Sequence, residues 1–236
     1  MAYDNIRLIV FLRDDIWNRI IEKGLRELSH ITRVDNIHWD DGSLFVLIIS
    51  RLLENEKILE YFGMSKAKVL QDKDLQISFF NKIFVEKVGD QRHSFKWMYT
   101  KLCDGKGNCS PRELIHLVNA SIKAQAKQLS IGKPFPKECL IDQDAIKSGF
   151  KEVSKKKLNT LISEYPELSI YIHRLKKKKV RLTISDLNEY WPIKRKEVTI
   201  IAKKLFQLGF FKNESEDVEN PKILIPELYR PALGMN

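Results

Sequence analysis

The residues best suited to chemistry in this chain are cations set where a phosphate could reach them. In PIKRKEV, Lys194, Arg195 and Lys196 fall at the N-terminal end of an expected helix, with Lys203 and Lys204 further along it. Cations there suit contact with phosphate oxygens, and the lack of Asn or Gln in this stretch argues for weak base readout. Between Gly149 and Lys204, 15 lysines and arginines stand against 6 acids, so nearly all of the net +10 lies in that segment. Such a concentration points to a polyanionic partner, nucleic acid first; a solvated helical face is the plainer alternative.

A second candidate is Arg13, which ends the apolar run IRLIVFLR and is followed by Asp14 and Asp15. A planar guanidinium suits bidentate phosphate contact, and it could equally pair with either aspartate. Adjacent carboxylates diverge in direction, so Asp14 and Asp15 read as charges at a helix N-terminus rather than an acid/base pair. Cys103, Cys109 and His116 invite a metal reading, yet the C-x₅-C spacing is wider than in zinc knuckles and no fourth ligand lies nearby. The five histidines are scattered, and nucleophilic catalysis has no positive support. No G-x-x-x-x-G-K-[ST] occurs, so the chain by itself is not expected to hydrolyse ATP or to be an enzyme.

Positioning these groups requires the following elements. The run from Ile6 is short and lacks alternation, as a strand buried on both faces would. No second run of this kind follows, so its sheet partners are expected outside the chain, and an uncovered edge would favour self-association. Asp14 to Leu28 has helical spacing, with Ile16, Trp17, Ile20 and Ile21 on one stripe, and Ser29 to His38 reads as a short strand burying Ile31, Val34 and Ile37. Asp40 to Ser43 starts a helix running from Leu44 to about Glu60. Leu75 to Phe84 and Phe95 to Leu102 are further helices, then Cys103 to Pro111 is a glycine-bearing turn.

Ser110 and Pro111 open a regular helix whose buried face is read as Leu114, Leu117, Val118, Ile122 and Ala126. Ile131 to Glu138 is a linker, and Asp142 to Lys157 is helical and basic. Ser163 to Val180 reads as a helix, Leu182 to Ile184 as extended, and Ser185 as the cap of DLNEYW. Pro192 opens a helix through Leu208 that stops at Gly209, and a hairpin follows to Ile225. Helix, short strand, helix, helix, hairpin is the order of a winged helix. Trp17, Trp39, Trp97 and Trp191 sit within apolar periodicity and are read as core.

These segments together resemble the rear half of STAND-class and related AAA-like P-loop ATPases, over most of the chain. Arg13 occupies the place of the arginine that reads the terminal phosphate in many of them. SHITRVDNIHWDDGSLFVLIISRLL looks like the last core strand entering the helical lid. Pro111 in CSPRELIHL resembles the lid proline that packs near adenine, and Arg112 a lid sensor arginine; the glycine usual two residues before that proline is Cys109 here. ILIPELYRPALGM is similar to the end of the winged helix in bacterial members.

The resemblance implies a mainly α fold with small β content. Residues 1–39 would be the C-terminal remnant of an α/β nucleotide-binding core, 40–130 a helical lid and 140–236 a winged-helix domain. The implied function is regulatory: nucleotide state is relayed from a missing N-terminal core, supplied in cis or in trans. No cofactor is expected on the chain alone, and ATP with Mg only once that core is present. The rivals are a stand-alone winged-helix DNA-binding protein and a protein-interaction module. Sparse cysteines suit the cytoplasm, and no stretch reaches the roughly 18 apolar residues of a membrane helix, so no membrane partner is expected.

Overall fold

A computed structural model describes residues 9–12, 16–17, 20–21, 35, 37–89, 92–215 and 221–235. The chain divides into two compact units, Met1–His38 and Trp39–Asn236. In the first, residues 16–17 and 20–21 are helical, as their spacing predicts. The buried strand expected from Ile6 is not seen in its described part: residues 9–12 are irregular, with Ile9 75% and Phe11 79% exposed. No strand lies beside them among the described residues to take up their backbone hydrogen bonds. Most of the expected strand Ser29 to His38 lies outside the described residues, but Ile37 is exposed rather than buried.

The second unit is mainly helical. Helix α1 (Asp41–Leu52) is capped by Asp40, whose Oδ1 accepts the Ser43 N–H at 2.7 Å. It ends before Glu60 because Asn55 caps a separate helix α2 (Glu56–Phe62), which stops at Gly63 in the left-handed region. After α3 (Lys66–Gln71), Asp72 accepts from the Asp74 and Leu75 N–H groups and starts α4 (Lys73–Ile83). Phe79, Phe80 and Ile83 of α4 are buried, and Phe80 stacks on Phe84 with centroids 4.7 Å apart. A two-stranded antiparallel ribbon, β1 (Lys87–Val88) and β2 (Arg92–His93), leads into α5 (Ser94–Leu102).

Helix α6 (Pro111–Ser130) packs along α7 (Gln143–Glu164). The buried stripe of α6 begins as predicted with Leu114, Leu117 and Val118, then continues through Ser121 and Gln125. Ile122 and Ala126, expected inside, are exposed. The reason lies on α7: a Cβ added at Gly149 would sit 2.8 Å from the Ser121 nitrogen, so the helices touch at their backbones and leave room only for a small residue. Ser121 Oγ donates to the Leu117 carbonyl at 2.7 Å and Gln125 Oε1 accepts the Asp142 N–H at 2.9 Å, while Gln125 Nε2 is buried without a partner.

The expected helix over Ser163 to Val180 does not form as one piece. Tyr165 precedes proline and leaves helical geometry at φ −134 and ψ 68, ending α7. A 3₁₀ turn (Pro166–Leu168) and the short α8 (Ser169–Arg174) follow. The lysine run is a turn, with Lys177 at φ 59 and its N–H donating to the Leu233 carbonyl at 2.9 Å.

Near the C-terminus, β3 (Arg181–Leu182), β4 (Lys212–Asn213) and β5 (Ile223–Leu224) form a three-stranded antiparallel sheet in the order β3–β5–β4. Between β3 and β4 lie α9 (Ile184–Tyr190) and α10 (Arg195–Gln207). Thr183, not Ser185, caps α9, because Thr183 and Asp186 form a reciprocal capping box. Helix α10 starts at Arg195 rather than Pro192, since Trp191 before the proline is extended and Lys194 is too. Trp191 is fully buried; its Nε1–H donates to the Tyr171 carbonyl at 3.0 Å. A last 3₁₀ turn (Glu227–Tyr229) and α11 (Arg230–Leu233) return to α7, where the Ala232 N–H donates to Ser154 Oγ at 3.1 Å. No described helix is long and apolar enough to cross a membrane.

Candidate functional site

Helix α10 buries Val198, Ala202 and Leu205. That fixes its other side outward. Lys194, Arg195 and Lys196 are exposed at its start and make no ion pair among the described residues. Lys203 lies about two helical turns beyond Lys196 and is exposed with it, so the two share a face with the exposed Ile200 between them.

Lys204, placed by the sequence with these cations, belongs elsewhere. Its Nζ bonds Glu167 Oε1 and lies 5.3 Å from the centre of the Tyr165 ring, so it ties α10 to the turn after α7. Other members of the basic segment are also engaged. Lys157 pairs with Glu113 at 3.0 Å, Lys179 with Asp186 at 3.5 Å and Arg181 with Glu214 at 2.9 Å, while Lys178 covers the Tyr190 ring at 4.6 Å. The Arg181–Glu214 pair joins β3 to the end of β4 and holds the Glu214 carboxyl below its usual range.

Pro111 and Arg112 stand on another element. Pro111 is the first residue of α6, half-buried, behind the cap Ser110, whose Oγ accepts the Arg112 N–H at 3.2 Å. The Arg112 side chain is exposed and makes no ion pair among the described residues. Arg13 lies outside the described residues.

The turn leading into Pro111 is more built than its sequence suggests. Asp104 Oδ1 accepts the Lys106 and Asn108 N–H groups at 2.8 and 2.9 Å, and the Asp104 N–H donates to the Asn108 carbonyl at 3.0 Å. The Gly105 N–H then donates to the Gly209 carbonyl at 2.7 Å. A Cβ at Gly105 would lie 2.1 Å from the Phe211 carbonyl oxygen, and one at Gly209 would lie 2.7 Å from Asp104 Oδ2. The turn before α6 thus grips the turn after α10, backbone to backbone. Burial pushes the Asp104 carboxyl above its usual range, against the two N–H donors that favour its anion.

Beside this turn sits the half-buried pair Glu113–Lys157. Burial alone would raise the Glu113 carboxyl, but the Lys157 charge and the Ser110 and Lys157 hydrogen bonds outweigh it and bring it below its usual range. Lys101 pairs with Glu227 at 2.9 Å, a further link from α5 to the C-terminal turn.

The suspected metal ligands separate. His116 faces Glu152 at 3.2 Å, whereas Cys103 and Cys109 flank the gripping turn. Among the described residues no group of three or more His, Cys, Asp and Glu is arranged to hold a metal ion. Sequence reasoning missed the grip on Gly209; its available signal was the pair of glycines in DGKGN with no other evident use. No family model matches this chain, and neither does any curated protein or solved structure.

Proposed function

We propose that the chain is the regulatory C-terminal part of a STAND-like P-loop ATPase, relaying nucleotide state from a core domain through a helical lid to a winged-helix domain. The observation that carries this reading is the grip between Gly105 and Gly209. The resemblance puts nucleotide contact at Pro111 and Arg112, and the segment just before them holds the end of α10. A shift of the α6 start toward a bound nucleotide would therefore pull on the C-terminal sheet and helices, as in other domain movements driven by phosphate contacts. The strand order β3–β5–β4, with α9 and α10 between β3 and β4, supports the winged-helix part of the reading.

The test is to sequence the DNA upstream of the Met1 codon for an in-frame P-loop, and to assay the longer protein. There, Arg13→Ala and Arg112→Ala should each cut ATP hydrolysis by at least about 10-fold, as loss of an arginine on the terminal phosphate does. Tight ATP binding and hydrolysis by the present chain alone would refute the proposal.

A second reading, DNA binding by α10, is favoured by one observation: Lys194, Arg195 and Lys196 are exposed cations without acidic partners among the described residues. It requires affinity for duplex DNA that falls steeply with salt, through counterion release. Binding that is weak and indifferent to salt would remove it.

A further inference from the structure

Cys103 closes α5 and Cys109 immediately precedes the cap of α6, so the two thiols stand at the two ends of the gripping turn. The Asp104–Asn108 backbone hydrogen bond brings those ends together. Their side chains are not equivalent. Cys103 is partly buried, whereas Cys109 is only 3% exposed. The Cys109 thiol and the Tyr99 hydroxyl both hydrogen-bond to the Cys103 sulfur, whose own S–H donates to the Tyr99 carbonyl at 3.3 Å.

Two donors on one sulfur favour its thiolate, while the Tyr99 carbonyl that accepts its proton opposes it. The Cys109 hydrogen bond first, then that of Tyr99 and the charge of Lys96, bring Cys103 below the ordinary thiol value against the opposing effects of burial and Asp104. Cys109 is held far above it by donating to Cys103, by burial and by the nearby Glu113 and Asp104. A partly exposed, thiolate-prone cysteine beside a buried protonated one is the arrangement of an attacking and a resolving thiol. Cys139, by contrast, is buried, pushed upward by burial and bonded to the Ile141 carbonyl.

We propose that Cys103 and Cys109 form a redox-modification site that takes a low-molecular-weight disulfide, such as oxidised glutathione, and closes into an intramolecular disulfide across the turn that grips Gly209. The Cys103 thiolate attacks one sulfur of the glutathione disulfide, forming a mixed disulfide and expelling one glutathione thiolate. With the charge on Cys103 gone, Cys109 gives its proton to solvent and attacks the Cys103 sulfur, expelling the second glutathione. Two protein thiols are oxidised to one disulfide while the glutathione disulfide is reduced to two thiols. This inference stands apart from the ATPase reading, since it depends only on the turn itself.

The experiment equilibrates the folded chain in glutathione buffers from fully reduced to largely oxidised, quenches with acid, alkylates free thiols and maps tryptic peptides by mass. Cleavage at Lys101, Lys106 and Arg112 separates the cysteines into peptides 102–106 and 107–112. The expected result is those two peptides joined by a disulfide, with Cys139 alkylated throughout. In Cys109→Ser, glutathione should be trapped on Cys103; in the reduced wild type, Cys103 should alkylate at least about 10-fold faster than Cys139. Peptides that never join at any glutathione ratio, or a bond to Cys139 or to a second chain, would overturn the proposal. The wild-type map decides this even where a variant fails to fold.

Discussion

The Gly105 amide meets the Gly209 carbonyl at 2.7 Å, close enough that neither turn has space for a side chain at the contact. Gly105→Ala would push a methyl into the Phe211 carbonyl, a backbone atom that cannot rotate away. The expected cost is about 2–4 kcal/mol in urea denaturation, more than an ordinary surface change. A loss under about 0.5 kcal/mol would mean the grip does not hold in solution.

Asp104 should make stability fall as pH rises. Its carboxyl is held above the ordinary value of 3.8 by burial, so the folded chain binds this proton more tightly than the unfolded chain. That contribution is fully present below the unfolded value and is lost as pH rises through the folded one. Asp104→Asn keeps an oxygen for the Lys106 and Asn108 N–H groups without a charge to desolvate. Relative to the wild type it should therefore gain stability as pH rises above the ordinary carboxylate value. Parallel denaturation curves at several pH values check this, and a constant difference between the two proteins would contradict it.

Glu113 should act in the opposite sense. Its folded value lies below the ordinary 4.5, chiefly because Lys157 overrides burial, so its contribution is present above 4.5 and fades as pH falls through the folded value. Lys157→Met leaves a buried carboxylate without its partner, and Glu113 Oε2 already has no hydrogen-bond partner. The expected loss is about 1–3 kcal/mol at pH 7 and less at pH 3. Adding Glu113→Leu should recover most of it, because an apolar pair carries no desolvation cost. Equal losses for the single and double variants would show that packing, not charge, is at stake.

The cations on α10 divide into two kinds with different readouts. Replacing Lys194, Arg195 and Lys196 by Ala should leave unfolding within about 0.5 kcal/mol. If α10 binds DNA, the same change should flatten the salt dependence by about 0.9 in log–log slope for each phosphate no longer neutralised. Lys204→Ala should do the reverse, lowering stability by up to about 1 kcal/mol as the Glu167 pair disappears while leaving the slope unchanged. Fluorescence anisotropy on a short duplex across a salt series, beside denaturation curves, separates the two.

Local chemistry in the sequence determined the helix starts at Asp40 and Ser110–Pro111, the stop at Gly209 and the exposed cations at the head of α10. Each follows from hydrogen bonds or dihedral angles within a few residues, which the chain carries with it. The break at Pro166 was legible on the same grounds, since the residue before a proline avoids helical geometry. Tertiary contact alone decided the rest. Which side of α6 turns inward depends on Gly149 arriving from α7, so Ser121 is buried and Ile122 is not. Lys204 is indistinguishable from Lys203 until Glu167 is folded against it. The contact of Gly105 with Gly209 joins residues far apart in the chain; the glycines leave room for two backbones to approach, but which turn meets which is decided only by the fold.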